Sequence, residues 1–199
     1  MVRRAVLVPM ALLLTTLYAA GHAQERRVIC VLVDDLGFGA SDRENSAKLL
    51  AVLRDEVVRE SDLVGFASTG PSAIIADLRP GSRNLEQAME QLAAAASPGQ
   101  SVRPIQSWAA NRIALGTASD IVGNLARLQN RDKQFLLLTS RTSADASFAA
   151  AFAQAGETMP PDLTNEVAAV VAAAKAGNVT LRVVRTDDPQ GAVLLRAMR

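Results

Sequence analysis

Apolar and polar positions alternate in two regimes along this chain. Residues 28–33, Val-Ile-Cys-Val-Leu-Val, form an unbroken and largely β-branched apolar run that ends in Asp34-Asp35. A strand that needs no polar face is buried on both sides, as central strands of α/β sheets are. Residues 134–139, Gln-Phe-Leu-Leu-Leu-Thr, read as a second central strand. Residues 63–69 and 179–185 give two further strands, and residues 73–77 a short strand at an edge.

Between these runs the apolar period changes to that of a helix. Leu49, Leu50, Leu53 and Val57 share one face of a helix that extends to about residue 60. Ser41-Asp42-Arg43-Glu44 at its start has the form of a capping box. Pro80-Gly81 turns the chain, and Ser82 is placed to cap a helix whose face is Leu85, Ala88, Met89, Leu92 and Ala96. Residues 105–129 read as a long helical region with Ile105, Trp108, Ala109, Ile113, Ile121, Leu125 and Leu128 inward, and with Gly116 as a point of interruption. Residues 143–155 are alanine-rich, with Phe148 and Phe152 one turn apart. Residues 162–176 give another helix, and Asp188-Pro189 opens a short last one, with proline at its first position. Gly70-Pro71, Ser97-Pro98-Gly99 and Pro160-Pro161 punctuate the chain.

The resulting order, β-α-β-β-α-α-β-α-α-β-α, predicts an α/β fold. It is a Rossmann-like, doubly wound, mostly parallel sheet of about five to six strands with helices on both faces. No internal repeat and no long linker divides it, so residues 26–199 read as one domain.

The amino-terminal residues change the picture of where the protein works. Arg3 and Arg4 precede an uncharged apolar run at residues 5–20, and Gly21-His22-Ala23 supplies small residues around a cleavage position. This is the layout of a secretory signal peptide over residues 1–23, which implies a periplasmic or secreted protein. An uncleaved amino-terminal anchor is the alternative, although the run is shorter than the ~20 residues of a spanning helix. Loss of Arg3 and Arg4 takes 21 basic residues to 19 against 20 acidic ones. Such a balance points to neither nucleic acid nor an anionic membrane surface. The single histidine, His22, lies in the segment to be removed, so Ser-His-Asp triads, Cys-His dyads and histidine-ligated metals are excluded from the mature chain. Cys30 is the only cysteine, within an apolar strand, where a thiol behaves as a small hydrophobe.

Candidate chemistry gathers where the first strand ends, because open α/β sheets place their ligand crevice at the carboxyl ends of the strands. Asp34 and Asp35 either hydrogen-bond the turn and helix start or ligate a hard cation. Gly37-Phe38-Gly39 is no phosphate loop: it lacks the Gly-Lys-Ser/Thr ending, and the acidic pair would repel a phosphate.

Val33-Asp34-Asp35-Leu36-Gly37, Ser61-Asp62-Leu63-Val64-Gly65-Phe66-Ala67-Ser68-Thr69-Gly70, Leu115-Gly116-Thr117, Leu125-Ala126-Arg127-Leu128 before Phe135-Leu136-Leu137-Leu138-Thr139-Ser140, and Asn178-Val179-Thr180-Leu181 occur in that order. Together they resemble the von Willebrand factor type A domain, in its exported bacterial "VWFA-related" branch, over roughly residues 26–186. The resemblance implies a Rossmann-like binding domain, usually without catalysis. It often implies a divalent metal held by Asp-x-Ser-x-Ser after the first strand, a threonine in a second loop and an aspartate after the fourth strand. Here the serine positions are Gly37 and Gly39 counted from Asp35, or Leu36 and Phe38 counted from Asp34. Near the threonine position only Ser82 carries a hydroxyl, and Ser140-Arg141 stand where the late aspartate belongs. Asp34, Asp35 and Ser82 are therefore weak metal candidates. A divalent ion asks for about six oxygens, so the expected edge is metal-free, without Mg²⁺ or other cofactor, and with Arg141 neutralising the acids.

The leading functional expectation is a non-catalytic module that binds a protein partner through this edge. The patch is Asp35, Gly37, Phe38, Ser41, Gly70, Pro71, Ser82 and Arg141. Phe38, between glycines, either anchors an interface or folds back over the sheet edge. One alternative is a receiver-like phosphoacceptor pocket of Asp34, Asp35, Asp77 and Thr139, although Arg185-Thr186-Asp187 stand where its lysine is expected. Another is a structural domain with a lost site. An open sheet edge would invite pairing with a second copy.

Overall fold

The structure is a computed structural model. It describes residues 26–36, 38–70, 75–95, 104–129, 131–140, 152–156, 158 and 160–199. The segment expected to direct export, Gly37, Pro71 and Arg141 lie outside the described residues, as does most of the helix expected at 143–155.

Among the described residues the sheet has the order β3-β2-β1-β4-β5. The strands are β1 (Val28–Asp34), β2 (Leu63–Ser68), β3 (Ile75–Pro80), β4 (Lys133–Thr139) and β5 (Val179–Arg185). All neighbours pair in parallel except β2 and β3. β1 is the middle strand, and Val28, Ile29, Val31, Leu32 and Val33 are buried on both of its faces. The order matches the first five positions of the doubly wound Rossmann sheet, with β3 reversed.

Helices cover both faces. On one face α1 (Ala40–Val52) presents Leu49 and Leu50 to Ile29, Val31 and Val33. It continues through a π turn, Leu53–Val57, closed by the Val58 amide on the Leu53 carbonyl at 2.9 Å, so Leu53 and Val57 stay on the same face. Leu85, Ala88 and Leu92 of α2 (Arg83–Ala94) and Leu195 of α5 (Gly191–Arg196) complete that layer. On the other face α3 (Pro104–Ala126) and α4 (Thr164–Ala176) pack on Val28, Leu32, Phe135 and Val179.

The long helix departs from expectation. It runs unbroken through Gly116, and its buried apolar residues are Ala110, Ala114, Ala118, Val122 and Leu125, with Asn111 buried beside them in sequence. Ile113 is 52% exposed. Alanines at i, i+4 spacing make up most of the first part of this face, while Leu125 is buried as expected and Ile121 and Leu128 pack against the same core. Trp108 sits half-buried, its indole N–H donating to the Pro161 carbonyl at 3.0 Å, with Arg112 stacked on the ring.

Two helix starts also shift. α1 begins at Ala40, ahead of the expected Ser41 cap, and the Asp42 carboxylate accepts from the Gly39 amide at 2.9 Å. Glu44, expected in the capping box, instead pairs with Lys48 on the exposed side. The last helix begins at Gly191, after Pro189.

Candidate functional site at the carboxyl edge of the sheet

The chain leaves β1 to build β2 and β3 on one side, then crosses to β4 on the other. The β1/β4 junction is therefore the topological switch point, where α/β sheets open a crevice. Four strand ends meet on this rim: Asp34-Asp35, Thr69-Gly70, Thr139-Ser140 and residues 185–188.

The two acids are spent on holding those ends together. Asp34 is 2% exposed and accepts from the hydroxyls of Thr69 (Oδ1, 2.9 Å) and Thr139 (Oδ2, 3.1 Å). Asp35 is buried as well, and its Oδ1 accepts from the Gly70 amide at 2.6 Å. Charge-assisted bonds of this kind keep a buried carboxylate from being an unpaired charge. A Cβ on Gly70 would lie 2.5 Å from the Leu36 amide nitrogen and 2.6 Å from Asp35 Oδ1, so glycine is what lets the two loops touch. A second link runs outward. Asp42 Oδ1 accepts from the Thr186 hydroxyl at 3.0 Å, and the Thr186 amide donates to the Thr139 carbonyl at 3.0 Å.

Several expected site residues fall elsewhere. Phe38 is 1% exposed and belongs to the core beneath α1 and α2, so it is not an interface anchor. Its amide donates to the Asp35 carbonyl at 3.1 Å, and this tight turn folds the ring back over the sheet. Ser41 is exposed at the start of α1 and remains on the rim. Ser82 does not approach the acids. β3 runs antiparallel, so its end at Pro80 lies opposite Leu63, which pairs with Val28, at the amino edge. Val28 and Asp34 are six residues apart on β1, or ~20 Å at about 3.3 Å per residue. Asp77 is displaced too. It stands near Gly65, the partner of Cys30, four residues and ~13 Å from Asp34. The receiver-like pocket therefore does not assemble: Thr139 meets Asp34, but Asp77 is exposed on an edge strand.

Thr69, Asp42 and Thr186 are rim residues that the sequence pattern does not single out. The one signal for Thr69 is that it ends an apolar strand, as Thr139 does; nothing local marks Thr186 as the partner of Asp42. As for a metal, Asp34, Asp35, Thr69 and Thr139 are all oxygen donors, but the hydroxyls already point their protons at Asp34 and Asp35 is engaged by Gly70. Among the described residues no three histidine, cysteine or acidic side chains gather into a cluster. In the structure the oxygens of Asp34, Asp35, Thr69 and Thr139 serve as hydrogen-bond partners of one another and of the Gly70 amide.

No protein-family model and no curated protein matches the chain. Among solved structures, the manganese-loaded TRAP protein of Plasmodium vivax is similar at 15% identity and a TM-score of 0.46, covering 88% of this chain. This chain spans 64% of the length of that one. At this degree of similarity the fold assignment rests on the strand order and the two covered faces of the sheet.

Proposed function

We propose that this chain is an exported, non-catalytic binding module of von Willebrand A type, which recognises a protein partner through its carboxyl rim without a bound metal. The observation that carries this reading is the use of Asp34 and Asp35: both are buried and tie neighbouring loops together. The rim is thus pre-organised by its own hydrogen bonds, which lowers the ordering cost of binding. Its outer surface carries Ser41, Asp187 and Asp188. The charge arrangement of residues 1–23 supports export, and no helix among the described residues is long and apolar enough to cross a membrane.

The test is capture of a partner from periplasmic extract by the full chain, with and without a chelator. The same protein should be retained in both conditions and lost with Ser41→Arg. Capture indifferent to Ser41→Arg, or micromolar Mg²⁺ or Mn²⁺ binding by calorimetry that disappears in Asp35→Ala, would overturn the reading.

Self-association through the sheet edge is a second reading. It is favoured by β5, the last strand among the described residues, on which Val183 is 52% exposed. Light scattering that shows a dimer abolished by Val183→Lys supports it; a monomer at all concentrations does not.

A further inference from the structure

On the face of the sheet opposite α1, a trough of about 350 Å³ lies between α3 and the edge strand β3. That volume is within the range, roughly 300–1,000 Å³, of pockets that hold small organic ligands. Its polar mouth at Asp77 lies ~13 Å from Asp34 along the sheet. Its floor is Cys30 and Ala67, with Gly65 between strands adding no side chain, and its helical wall is Ile121 and Leu125. The lining is chiefly apolar, with two polar groups at the mouth, Asp77 and Asn124, both exposed.

The mouth is shaped by a β-bulge. Ala76 pairs with Phe66 and Arg79 with Val64, so Asp77 and Leu78 together oppose the single residue Gly65. A bulge re-aims side chains and is common next to binding sites. Here both Asp77 and Leu78 line the trough, while Arg79 does not. The irregularity is pinned from below. Asn84, buried at the start of α2, donates from one amide nitrogen to the Val64 carbonyl at 2.6 Å and to the Asp77 carbonyl at 2.5 Å. A buried side chain is thus committed to holding the Asp77 backbone in place.

We propose that this trough is a binding site for a small amine with an apolar body, the body lying on Cys30, Ala67 and Leu125 and the ammonium meeting Asp77. Charge complementarity selects that occupant, since Asp77 is the one acidic residue of the lining and no lysine, arginine or histidine lines it. The floor contributes no charge: burial pushes the Cys30 thiol up to about 11, so it stays protonated at neutral pH.

The test uses the full chain and two matched probes, phenethylamine and 3-phenylpropionate, followed by amide chemical-shift titration. Phenethylamine is expected to move the signals of Cys30, Gly65 and Ala67 with saturation in the millimolar range or below. Its affinity should fall about five-fold in Asp77→Asn, the scale of one partly exposed ion pair. Asp77 is exposed, so that variant leaves the core intact. The carboxylate probe should leave the same signals unmoved. Equal binding of both probes, amine binding unchanged by Asp77→Asn, or no response to the amine would each overturn the assignment.

Discussion

Asp34 and Thr139 are register partners on β1 and β4, and the Thr139 hydroxyl donates to Asp34 Oδ2 at 3.1 Å across the switch point of the sheet. The other oxygen of the same carboxylate takes the Thr69 hydroxyl. One side chain thereby joins the ends of three strands. Thr139→Val keeps the shape and removes the donor. Hydrogen bonds to charged groups contribute about 1.5–3 kcal/mol, so urea unfolding should report a loss on that scale. The costs of Thr69→Val and Thr139→Val should not simply add in the double variant, because both hydroxyls serve one carboxylate and the second change takes away its remaining hydroxyl donor. Strict additivity would contradict the shared-carboxylate account.

Asp35 and Gly70 define a close approach that tolerates neither a larger loop residue nor a lost acceptor. Gly70→Ala is expected to destabilise the chain, since the added Cβ meets backbone at Leu36 and not the end of a flexible side chain. Asp35→Asn, which keeps an acceptor oxygen, should be milder than Asp35→Ala. Identical thermal shifts for the two Asp35 variants would show that the Gly70 contact contributes nothing.

Arg27 and Asp62 form an ion pair at 2.6 Å at the amino edge, both side chains buried. The Arg27 guanidinium also donates to the carbonyls of Val57 and Met198, and so links β1 to the end of α1 and to the segment after α5. Removing one member of a buried pair strands the other charge, at a cost of about 3–5 kcal/mol. Asp62→Ala should therefore cost more than the double change Asp62→Leu with Arg27→Met. Chemical denaturation of both variants checks the order.

Burial raises the Cys30 thiol from 9.0 to about 11 in the fold. The unfolded chain deprotonates first as pH rises, so the protonated thiol's contribution is complete below pH 9 and is lost between 9 and 11. Stability of the wild type should fall across that window relative to Cys30→Ala. Iodoacetamide labelling of the native chain should keep accelerating past pH 9, where an unstructured cysteine levels off.

Asn84 holds the bulge by serving the carbonyls of Val64 and Asp77. Asn84→Ala should cost about 1–3 kcal/mol through two unsatisfied carbonyls, and should increase amide exchange in β3 more than in β1. Uniform exchange across the sheet would argue against a local role.

Much of this architecture is written in short stretches of the chain. The run Val28–Val33 has no polar face, so it can be stable only between two layers, and it is the middle strand. Leu49, Leu50, Leu53 and Val57 mark the covered face of the first helix because helical periodicity is local, and all four are buried. The long helix is legible only in part: Ile121, Leu125 and Leu128 meet the core, but Ala110, Ala114 and Ala118 share its buried face, which a pattern of large apolar residues passes over, and Ile113 is left in solvent. The position of the acids at a strand end was legible too. Their partners were not, since Thr69 and Thr139 reach Asp34 only once three strands lie side by side.

Strand direction was decided by tertiary structure alone. Five apolar runs in sequence do not say that β3 turns back, yet that reversal carries Ser82 to the far edge and Asp77 to mid-strand, away from Asp34. Phe38 shows the same limit at a single residue: between two glycines its ring can face water or core, and only the turn made with Asp35 sends it inward. Local sequence fixes what each segment must bury. Which polar groups meet depends on pairing between segments far apart in the chain, and that is settled when the sheet assembles.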